Sequence, residues 1–466
     1  MRIRATGGTR CAEDLPPQTW SPGGAWSSGV DPAQLPSVGP ADAPLEVVVV
    51  GDALGLPHGM ADTGRLRLYC KALASVDVSV RVLLTRVSET PPHVLNSESR
   101  GVVDGTPFEY TTGTPIRSDS FLVRRLVESR GALVAVTRLA ALRCSGHCVA
   151  LLAYVGTSRC TLRYVVLTAA ARMMRIPVVL DLCEAPWTLL GDRRPWERFF
   201  SPLALTSGAI TISGFLTSWA SAEYASRHRD ATATEIPILV DIDEVRPSPQ
   251  LHSQQAVLYA ASSSYDDALA FVLEAMRYVW SSEPQCRLVV TGIAPDELDR
   301  HLCRRAFTSR ETALVIGVGR VSREALLQLY ADASVCLAPL FDDQRSRARF
   351  PTKIAEYAAA GRPIVTSSVG EVRRYLVDGT TAFIAEPDDP VAFGRKILDV
   401  ISDPENADEV GVRARALAEQ LFDYRVHAAR LREALARTLA LDVRAARQRQ
   451  GSRQGTRSSG QDARRC

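Results

Sequence analysis

Short runs of β-branched residues alternate with longer segments of helical periodicity along most of this chain, and that alternation limits its fold more than any other feature. Strands that alternate with helices form parallel sheets covered by helices on both faces, and continuous apolar runs are typical of strands buried in this way. Two such series follow one another, so we predict an α/β fold with two Rossmann-like domains. The first series contains predicted strands at 46–51, 78–84, 148–154, 177–182 and 209–212. The second contains predicted strands at 256–260, 287–291, 313–316, 335–339, 363–366 and 382–385.

Composition sets the limits of these domains. Thirteen of the first 44 residues are proline or glycine, without a strand or helix period, which predicts a disordered leader. The proline-punctuated segment 236–249 separates the two series and is the predicted join. The polar, low-complexity C-terminal end predicts a disordered tail. The resulting organisation is a leader over 1–44, an N-terminal domain over 45–243, a C-terminal domain over 244–425, a helix over 426–440 and an arginine-rich tail over 441–466.

The charge distribution argues against a nucleic-acid-binding protein. The formal net charge is +3, and residues 441–466 contribute seven arginines against two aspartates, so the folded part is close to neutral. Binding to phosphate backbones needs a basic face. The N-terminus has no apolar segment of signal-peptide length, and no run of about 18 apolar residues occurs. These features predict a cytoplasmic protein that does not span a membrane.

Two doubly wound sheets bind ligands outside the carboxyl ends of their strands, so the predicted site is a cleft between the domains. In the first domain, a loop over 55–64 leads from the first strand into a helix, and its backbone amides are suited to an anion or a hydroxyl. Gly59, Thr63 and Arg65 are the candidate ligand contacts there. Glu184 follows a later strand at the same edge. It is a candidate to bind a ligand hydroxyl, the alternative being a carboxylate at a helix start.

The most informative segment is RFPTKIAEYAAAGRPIV, residues 349–365. Pro351 suits the start of a helix and Gly361 its end. Lys353 and Glu356, three residues apart, lie on one face of that helix. A charge pair with this spacing is usually a solvated surface feature, so spacing alone does not assign a function.

The residues themselves add a resemblance. Together with LLQLYADASVCLAP (326–339) and VGEVRRYLVDGTTAFIAEP (369–387), this segment resembles glycosyltransferase family 4, the "glycosyl transferases group 1" domain, over about residues 250–400. The N-terminal half resembles the family more weakly, through HGMADTGR (58–65), GAITIS (208–213) and IPILVD (236–241). The resemblance implies a GT-B architecture, in which two Rossmann-like domains face a cleft. The nucleotide-sugar donor would bind mainly the C-terminal domain and the acceptor mainly the N-terminal one.

The resemblance also implies roles for individual residues. Glu356 would hold the nucleotide ribose, since a carboxylate accepts two hydroxyl hydrogen bonds. The helix start at Pro351 and Thr352 would receive the diphosphate. The implied reaction is retaining transfer of a sugar from a nucleotide-diphosphate sugar to an acceptor hydroxyl, without a separate cofactor.

Cations near that helix start would neutralise the departing diphosphate, the alternative being an ordinary solvated loop. These cations are Arg345, Arg347, Arg349 and Lys353. Arg349, Lys353 and Glu184 are the predicted catalytic residues.

Two departures from the family pattern leave a rival open. The family's usual first glutamate falls on Ala348, and the usual phosphate-binding Arg and Lys fall in the segment 261–267, which has neither. The rival is a non-catalytic GT-B-like auxiliary or binding protein that has lost donor chemistry. A sugar-nucleotide epimerase of the same architecture is disfavoured by the long family block.

Metal binding and membrane contact are the remaining questions. Acidic pairs at 241/243, 266/267, 342/343 and 388/389 offer the ligands that Mg²⁺ prefers, but the resemblance makes them linker and loop residues and implies metal-independent transfer. Trp196, Phe199 and Phe200 lie near arginines in an amphipathic pattern. This pattern suits peripheral contact with the inner membrane face, although packing on the protein's own sheet is favoured.

Overall fold

The structure, a computed structural model, describes residues 45–51, 54–92, 94–146, 148–153, 162–186, 201–246, 256–261 and 266–441. It contains two sheets, each covered by helices on both faces, as the alternation in the sequence predicts. The predicted leader 1–44, almost all of the predicted tail, and Trp196, Phe199 and Phe200 lie outside the described residues.

The first sheet has eight strands in the order β3-β4-β2-β1-β5-β6-β7-β8, and all neighbouring pairs are parallel except β3 with β4. Its strands are β1 (Glu46–Gly51), β2 (Ser79–Leu84), β3 (Arg100–Val103), β4 (Thr106–Tyr110), β5 (Cys148–Ala153), β6 (Val178–Leu182), β7 (Gly208–Thr211) and β8 (Thr232–Glu235). The helices that accompany it are α1 (Ala61–Ala74), α2 (Phe121–Ser145), α3 (Leu162–Met173) and α4 (Gly214–Ser226).

The second sheet has six parallel strands in the order β11-β10-β9-β12-β13-β14. Its strands are β9 (Ala256–Ala260), β10 (Arg287–Thr291), β11 (Val315–Gly319), β12 (Val335–Ala338), β13 (Ile364–Ser367) and β14 (Phe383–Ala385). Its helices are α5 (Asp266–Ser282), α6 (Pro295–Arg304), α7 (Ser309–Ala313), α8 (Arg323–Asp332), α9 (Gln344–Ala348), α10 (Thr352–Ala359), α11 (Val372–Tyr375), α12 (Pro390–Ser402) and α13 (Pro404–Leu421).

Contacts between the domains join residues that follow the carboxyl ends of strands on both sides. Ser213, after β7, donates from Oγ to the Ala348 carbonyl, which follows β12, at 2.6 Å. Arg320, after β11, donates to the Met60 sulfur, which follows β1, at 3.3 Å. The carboxyl edges of the two sheets therefore face each other, and they form the cleft where doubly wound sheets bind ligands.

The chain returns to the first domain at its C-terminal end. The backbone of Val240, in the linker between the sheets, exchanges hydrogen bonds with Phe422 and Tyr424. Residues 424–441 then form a helix, and its Leu431 and Leu435 belong to the apolar core that also contains Val47 of β1. The C-terminal end of the chain thus follows the second domain and packs its apolar residues into the core of the first domain, which links the two domains.

The sequence prediction missed three strands of the first sheet. β3 and β4 form a hairpin whose turn is Asp104-Gly105, and both residues have positive φ, 48° and 76°. Asp-Gly is a strong sequence signal for such a turn, so the hairpin was predictable. β8 is a four-residue edge strand without a comparable signal.

Within the described ranges, no helix has both the length and the apolar character needed to cross a membrane.

Candidate functional site

The topological switch point of the second sheet lies between β9 and β12, where the order of the strands reverses. Lys353, in the first turn of α10, donates a hydrogen bond from Nζ to the carbonyl of Ala260, the last residue of β9, at 2.5 Å. Pro351 is the N-cap of α10 and makes no side-chain cap hydrogen bond within the described chain, and Thr352 is the first helical residue. The start of α10 therefore lies at the position where doubly wound sheets bind phosphates.

The ammonium group of Lys353 lies in an environment that disfavours its positive charge. Burial, together with the nearby positive charge of Arg349, lowers its pKa to about 8, while Glu356 acts in the opposite direction. Its ammonium group also lies 5.0 Å from the centre of the Tyr259 ring. The structure thus brings the two predicted catalytic cations Arg349 and Lys353 close together, and an anion placed between them would relieve their repulsion.

Glu356 is held by two donors from α8. Arg323 donates from Nη1 to Oε1 at 2.5 Å, and the Tyr330 hydroxyl donates to Oε2 at 3.0 Å. The other edge of the Arg323 guanidinium binds Glu244 of the linker at 3.2 and 3.3 Å. The predicted ribose-binding carboxylate is therefore positioned by side chains that a nucleotide would have to displace or share.

Arg345 and Arg347 lie on the short helix α9, directly before α10. Both are exposed, and Arg347 pairs with Asp342 at 2.7 Å. Asp343 accepts from the Ser346 amide and caps α9. Two of the candidate cations are thus solvent-facing, and one of them already has a carboxylate partner. Their predicted contact with a diphosphate stays a prediction.

Ala348, at the position of the family's usual glutamate, is fully buried in the apolar core that continues between the domains. Its carbonyl accepts the interdomain hydrogen bond from Ser213. This position packs the domains together and offers no polar side chain to a donor sugar. Of the 261–267 segment, residues 262–265 lie outside the described chain.

The loop after β1 is closely packed around Gly59. Thr63 is buried and donates from Oγ1 to the Gly55 carbonyl at 2.9 Å. A Cβ on Gly59 would lie 2.0 Å from that same Oγ1. Glycine is therefore needed here for close packing of the loop on α1, while the predicted ligand contacts of Gly59 and Thr63 stay predictions.

Glu184 lies close to Asp62 of α1, a neighbour that sequence reasoning did not assign to it. Burial raises the pKa of Asp62; backbone amide hydrogen bonds oppose this change, and the Glu184 charge adds to it. Two carboxylates at one partly buried place are suited to accepting hydrogen bonds from hydroxyl groups. The predicted role of Glu184 stays open at this first-domain edge of the cleft.

Arg65 requires a correction. It is 3% exposed and faces the interior, where it pairs with Asp181 at 3.3 Å and donates to the carbonyls of Pro237 and Ile236 at 2.8 and 3.0 Å. Tyr69 donates to the same aspartate at 2.9 Å. These contacts tie α1 to β6 and to the linker. Since the guanidinium is committed to buried partners, its position argues against the predicted ligand contact.

A second interdomain cluster surrounds Glu371. This buried carboxylate accepts from the amide of Gly214, the first residue of α4, at 2.8 Å and from Arg374 at 2.6 Å. Arg374 also pairs with Glu235 of β8 at 3.0 Å. Burial raises the pKa of Glu371 to about 7, against the lowering effect of Arg374. The second domain thereby caps the N-terminus of a helix in the first.

The acidic pairs of the sequence analysis are engaged in local structure. Asp241 binds Lys71 at 2.7 Å, and Asp389 caps α12. Asp266 approaches Glu297 and His301, whose potential ligand atoms lie within 4.8 Å of one another. The Nδ1 atom of His301 faces Arg305 at 3.2 Å. The positive charge of this guanidinium beside the imidazole ring disfavours a second cation at the cluster.

Sequence reasoning missed Arg323 and Tyr330 as partners of Glu356, and Glu244 as the second carboxylate partner of Arg323. Arg323 and Tyr330 are seven residues apart on α8, so they lie on one helix face two turns apart. The sequence shows that these two residues share a helix face, but it does not show that this face contacts Glu356.

Part of this chain is similar in sequence to known glycosyltransferases. Residues 254–403 match the family model of "Glycosyl transferases group 1", a segment that includes β9 and α10. A 99-residue stretch is 31% identical to a D-inositol 3-phosphate glycosyltransferase of Streptomyces avermitilis and covers 21% of this chain and 20% of that protein. A 136-residue stretch is 26% identical to the D-rhamnosyltransferase WbpZ of Pseudomonas aeruginosa, covering 29% and 34%. The chain thus matches about a third or less of the length of these relatives.

The similarity to solved structures covers a larger part of the chain than the sequence matches do. HepE of Anabaena, solved in complex with UDP, matches with a TM-score of 0.56 at 17% identity, covering 84% of this chain and 99% of that one. Sucrose-phosphate synthase of Thermosynechococcus elongatus matches with a TM-score of 0.59 at 15% identity, covering 85% and 99%. At these identities the likeness concerns the fold, and it confirms the predicted α/β class with two Rossmann-like domains in the GT-B arrangement.

Proposed function

We propose that this protein is a glycosyltransferase of the group 1 type, within family 4, which moves a hexosyl group from a nucleotide-diphosphate sugar to an acceptor hydroxyl with retention of anomeric configuration. The observation that carries the proposal is the position of Glu356 and Lys353. Both lie on α10, beside the β9/β12 switch point, inside the segment that matches the family model.

In this proposal the nucleotide ribose binds Glu356, whose carboxylate accepts hydrogen bonds from two ribose hydroxyls. Arg323 keeps its second partner, Glu244, when Glu356 turns to the ribose. The diphosphate lies against the start of α10, where helix amides, Lys353 and Arg349 supply positive charge. No metal is needed for the transfer, because these groups stabilise the departing diphosphate.

The reaction breaks the bond between the anomeric carbon and the diphosphate oxygen and forms a bond from that carbon to the acceptor oxygen on the same face. The acceptor proton leaves with the nucleotide diphosphate. Glu184, next to Asp62 at the opposite edge of the cleft, orients the acceptor hydroxyl. We place this chemistry in the cytoplasm, with peripheral contact at the inner membrane face.

The first experiment is a thermal-shift titration of the full chain with UDP, GDP, ADP, CDP and dTDP and their sugar conjugates, without added metal. A ligand at about 100 times its Kd stabilises the native state by about 2.7 kcal/mol. We expect one nucleotide to stand out, and its effect to disappear in Glu356→Ala. The matched control is Glu244→Ala, which also removes one carboxylate partner of Arg323 but leaves the ribose site intact.

The outcomes separate the two functions considered. A shift that survives in Glu356→Ala contradicts the proposed donor site. Equal losses in Glu356→Ala and Glu244→Ala assign the effect to the Arg323 network rather than to ribose binding. Nucleotide binding without hydrolysis or transfer of any donor sugar indicates a non-catalytic GT-B-like protein, in keeping with the buried Ala348.

A further inference from the structure

Two adjacent residues at the start of α4 each form a hydrogen bond to the second domain. Ser213, the N-cap of α4, donates from Oγ to the Ala348 carbonyl at 2.6 Å, and the same Oγ accepts from the Leu216 amide at 3.2 Å. The amide of Gly214 donates to Oε1 of Glu371 at 2.8 Å. Ser213 and Glu371 are both buried, with 0% and 3% exposure. We call these two interdomain hydrogen bonds the α4 contact.

Close packing surrounds the α4 contact on both sides. A Cβ at Gly214 would lie 2.6 Å from Nη1 of Arg374, the guanidinium that pairs with Glu371. Gly370 has a φ of 54°, which favours glycine, and a Cβ there would lie 3.3 Å from Cα of Arg347 on α9. The segment that carries Glu371 therefore packs against the start of α4 and against α9 at the same time.

The α4 contact reaches the residues that lead into α10. The turn 349–351 separates Ala348, the last residue of α9, from α10, whose first turn carries Lys353. Within this turn Phe350 is buried, and its ring stacks on Tyr375 of α11 with the ring centres 5.3 Å apart. The first domain thus bonds to the backbone that directly precedes the turn, while α11 packs on the turn itself.

We propose that Ser213 and Glu371 are positioning residues that hold the turn 349–351 against the first domain. Their hydrogen bonds fix the position of Arg349 and Lys353, at the start of α10, relative to the first domain. Groups that act on a diphosphate need this precision, since a displacement of about 1 Å can lower a rate by about a hundredfold. The effect on turnover rests on the proposed function, whereas the hydrogen bonding of the turn does not.

Glu371 is surrounded by charged and titratable groups from both domains. Arg374 donates to it at 2.6 Å and also pairs with Glu235 of β8 at 3.0 Å. The Tyr375 hydroxyl donates to Glu235 at 3.2 Å. On α9, Arg347 pairs with a carboxylate of its own loop. One arginine therefore serves two carboxylates here, and one of the two lies in each domain.

This arrangement makes the α4 contact dependent on pH. Burial and the charge of Glu235 raise the pKa of Glu371 from 4.5 to about 7, against the lowering effects of Arg374 and the Gly214 amide. A carboxyl group that is separated from these neighbours titrates near 4.5. The assembled contact therefore binds the proton more tightly, and it weakens as the pH rises from 4.5 towards 7.

Hydrogen exchange of the full chain tests the contact in two segments. One is 213–217, at the start of α4, and the other is 345–351, before α10. In Glu371→Ala the Gly214 amide loses its acceptor, and we expect its exchange to be at least about tenfold faster. If the contact holds the turn, exchange over 345–351 should also be at least about threefold faster.

Two further variants make this test specific. Ser213→Ala removes the donor to the Ala348 carbonyl and should speed exchange over 345–351 to a similar extent. Glu311→Ala is the matched control: Glu311 accepts a backbone amide at 2.7 Å and pairs with an arginine at 3.5 Å, as Glu371 does, but within the second domain. The proposal is overturned if neither Glu371→Ala nor Ser213→Ala changes exchange over 345–351, or if Glu311→Ala changes it equally.

Glu371→Gln keeps an acceptor for the Gly214 amide but carries no charge. At about pH 5 its exchange over 213–217 should match that of the wild type, which shows that the contact and not a loss of folding is measured. Between about pH 5 and pH 7 the ratio of the wild-type rate to the variant rate should rise by up to about tenfold per pH unit. A constant ratio would contradict the titration of Glu371 within the contact.

Turnover separates positioning from binding. The Kd and the rate of nucleotide release are measured for the sugar conjugates of UDP, GDP, ADP, CDP and dTDP. We expect Glu371→Ala to keep the Kd of the bound conjugate within about twofold and to lower the rate at least about tenfold. Unchanged turnover, with faster exchange over 345–351, overturns the positioning role. If the wild type binds none of these conjugates, the proposed function fails, and hydrogen exchange still decides whether the contact holds the turn.

Discussion

We expect the substitution Lys353→Met to increase the stability of the fold and to weaken nucleotide binding. The charged ammonium group destabilises the folded protein, but it attracts the diphosphate of the ligand. Burial and the charge of Arg349 lower the pKa of Lys353 from 10.5 to about 8, which corresponds to about 3 kcal/mol of unfavourable free energy in the charged form. The hydrogen bond to the Ala260 carbonyl offsets about 1 to 2 kcal/mol of this. At about pH 7 we expect the methionine variant to be more stable than the wild type by about 1 to 2 kcal/mol.

The sign of the pH dependence follows from proton binding. A lysine whose pKa is lower in the folded state binds more protons when unfolded, so the wild-type stability rises with pH between about 8 and 10.5. The variant lacks this group, and its advantage shrinks across that window. Diphosphate binding has the opposite requirement, since it needs the protonated amine, and the affinity is expected to fall up to about tenfold per pH unit above pH 8.

The assay is urea unfolding at about pH 7 and about pH 10, followed by nucleotide titration of both proteins. Lys396→Met is the matched control, because Lys396 pairs with Asp378 on the surface at 2.8 Å and is expected to change stability by less than about 1 kcal/mol. The reasoning is refuted if Lys353→Met is less stable than the wild type at both pH values, with the same pH profile.

Three further predictions concern stability. Glu371, with a pKa raised from 4.5 to about 7, contributes stability that is present below pH 4.5 and lost as the pH rises towards 7; urea midpoints of Glu371→Gln should lack that decline. Arg65→Met should cost about 3 to 5 kcal/mol by leaving a buried partner charge unpaired, whereas Arg67→Met, at a partly exposed pair, should cost less than about 1 kcal/mol. Gly59→Ala should lower the melting temperature because its Cβ would clash with Thr63. Gly64→Ala has open space around its Cβ position and should raise the melting temperature, since alanine favours the helix by about 0.5 to 1 kcal/mol. Equal effects of the two substitutions would contradict the packing argument.

The sheet architecture was accessible from the sequence because it depends on local pattern. Runs such as Glu46–Gly51 and Ala256–Ala260 become strands with the predicted bounds, since a continuous apolar run between turn signals has few other stable uses. The hairpin at Asp104-Gly105 was equally local, and it was missed because its turn signal was not used.

The candidate site was likewise predictable from the sequence only where it depends on local pattern. The spacing of Lys353 and Glu356 on one helix, and the position of that helix after a strand, follow from the order of residues in the segment 349–365. What each side chain contacts does not follow. Lys353 bonds to a carbonyl 93 residues away, and Arg323 reaches Glu356 across 33 residues.

The sequence by itself determined the fold class, the two series of strands and the helix that carries Glu356, because short-range periodicity and turn chemistry specify these features. Only the tertiary structure decided that Arg65 is committed to Asp181, 116 residues away, that Ala348 packs between the domains, and that Glu371 contacts the start of α4. Those outcomes depend on which surfaces meet after the sheets assemble. The residues adjacent to a position in the chain do not determine which distant surface its side chain contacts.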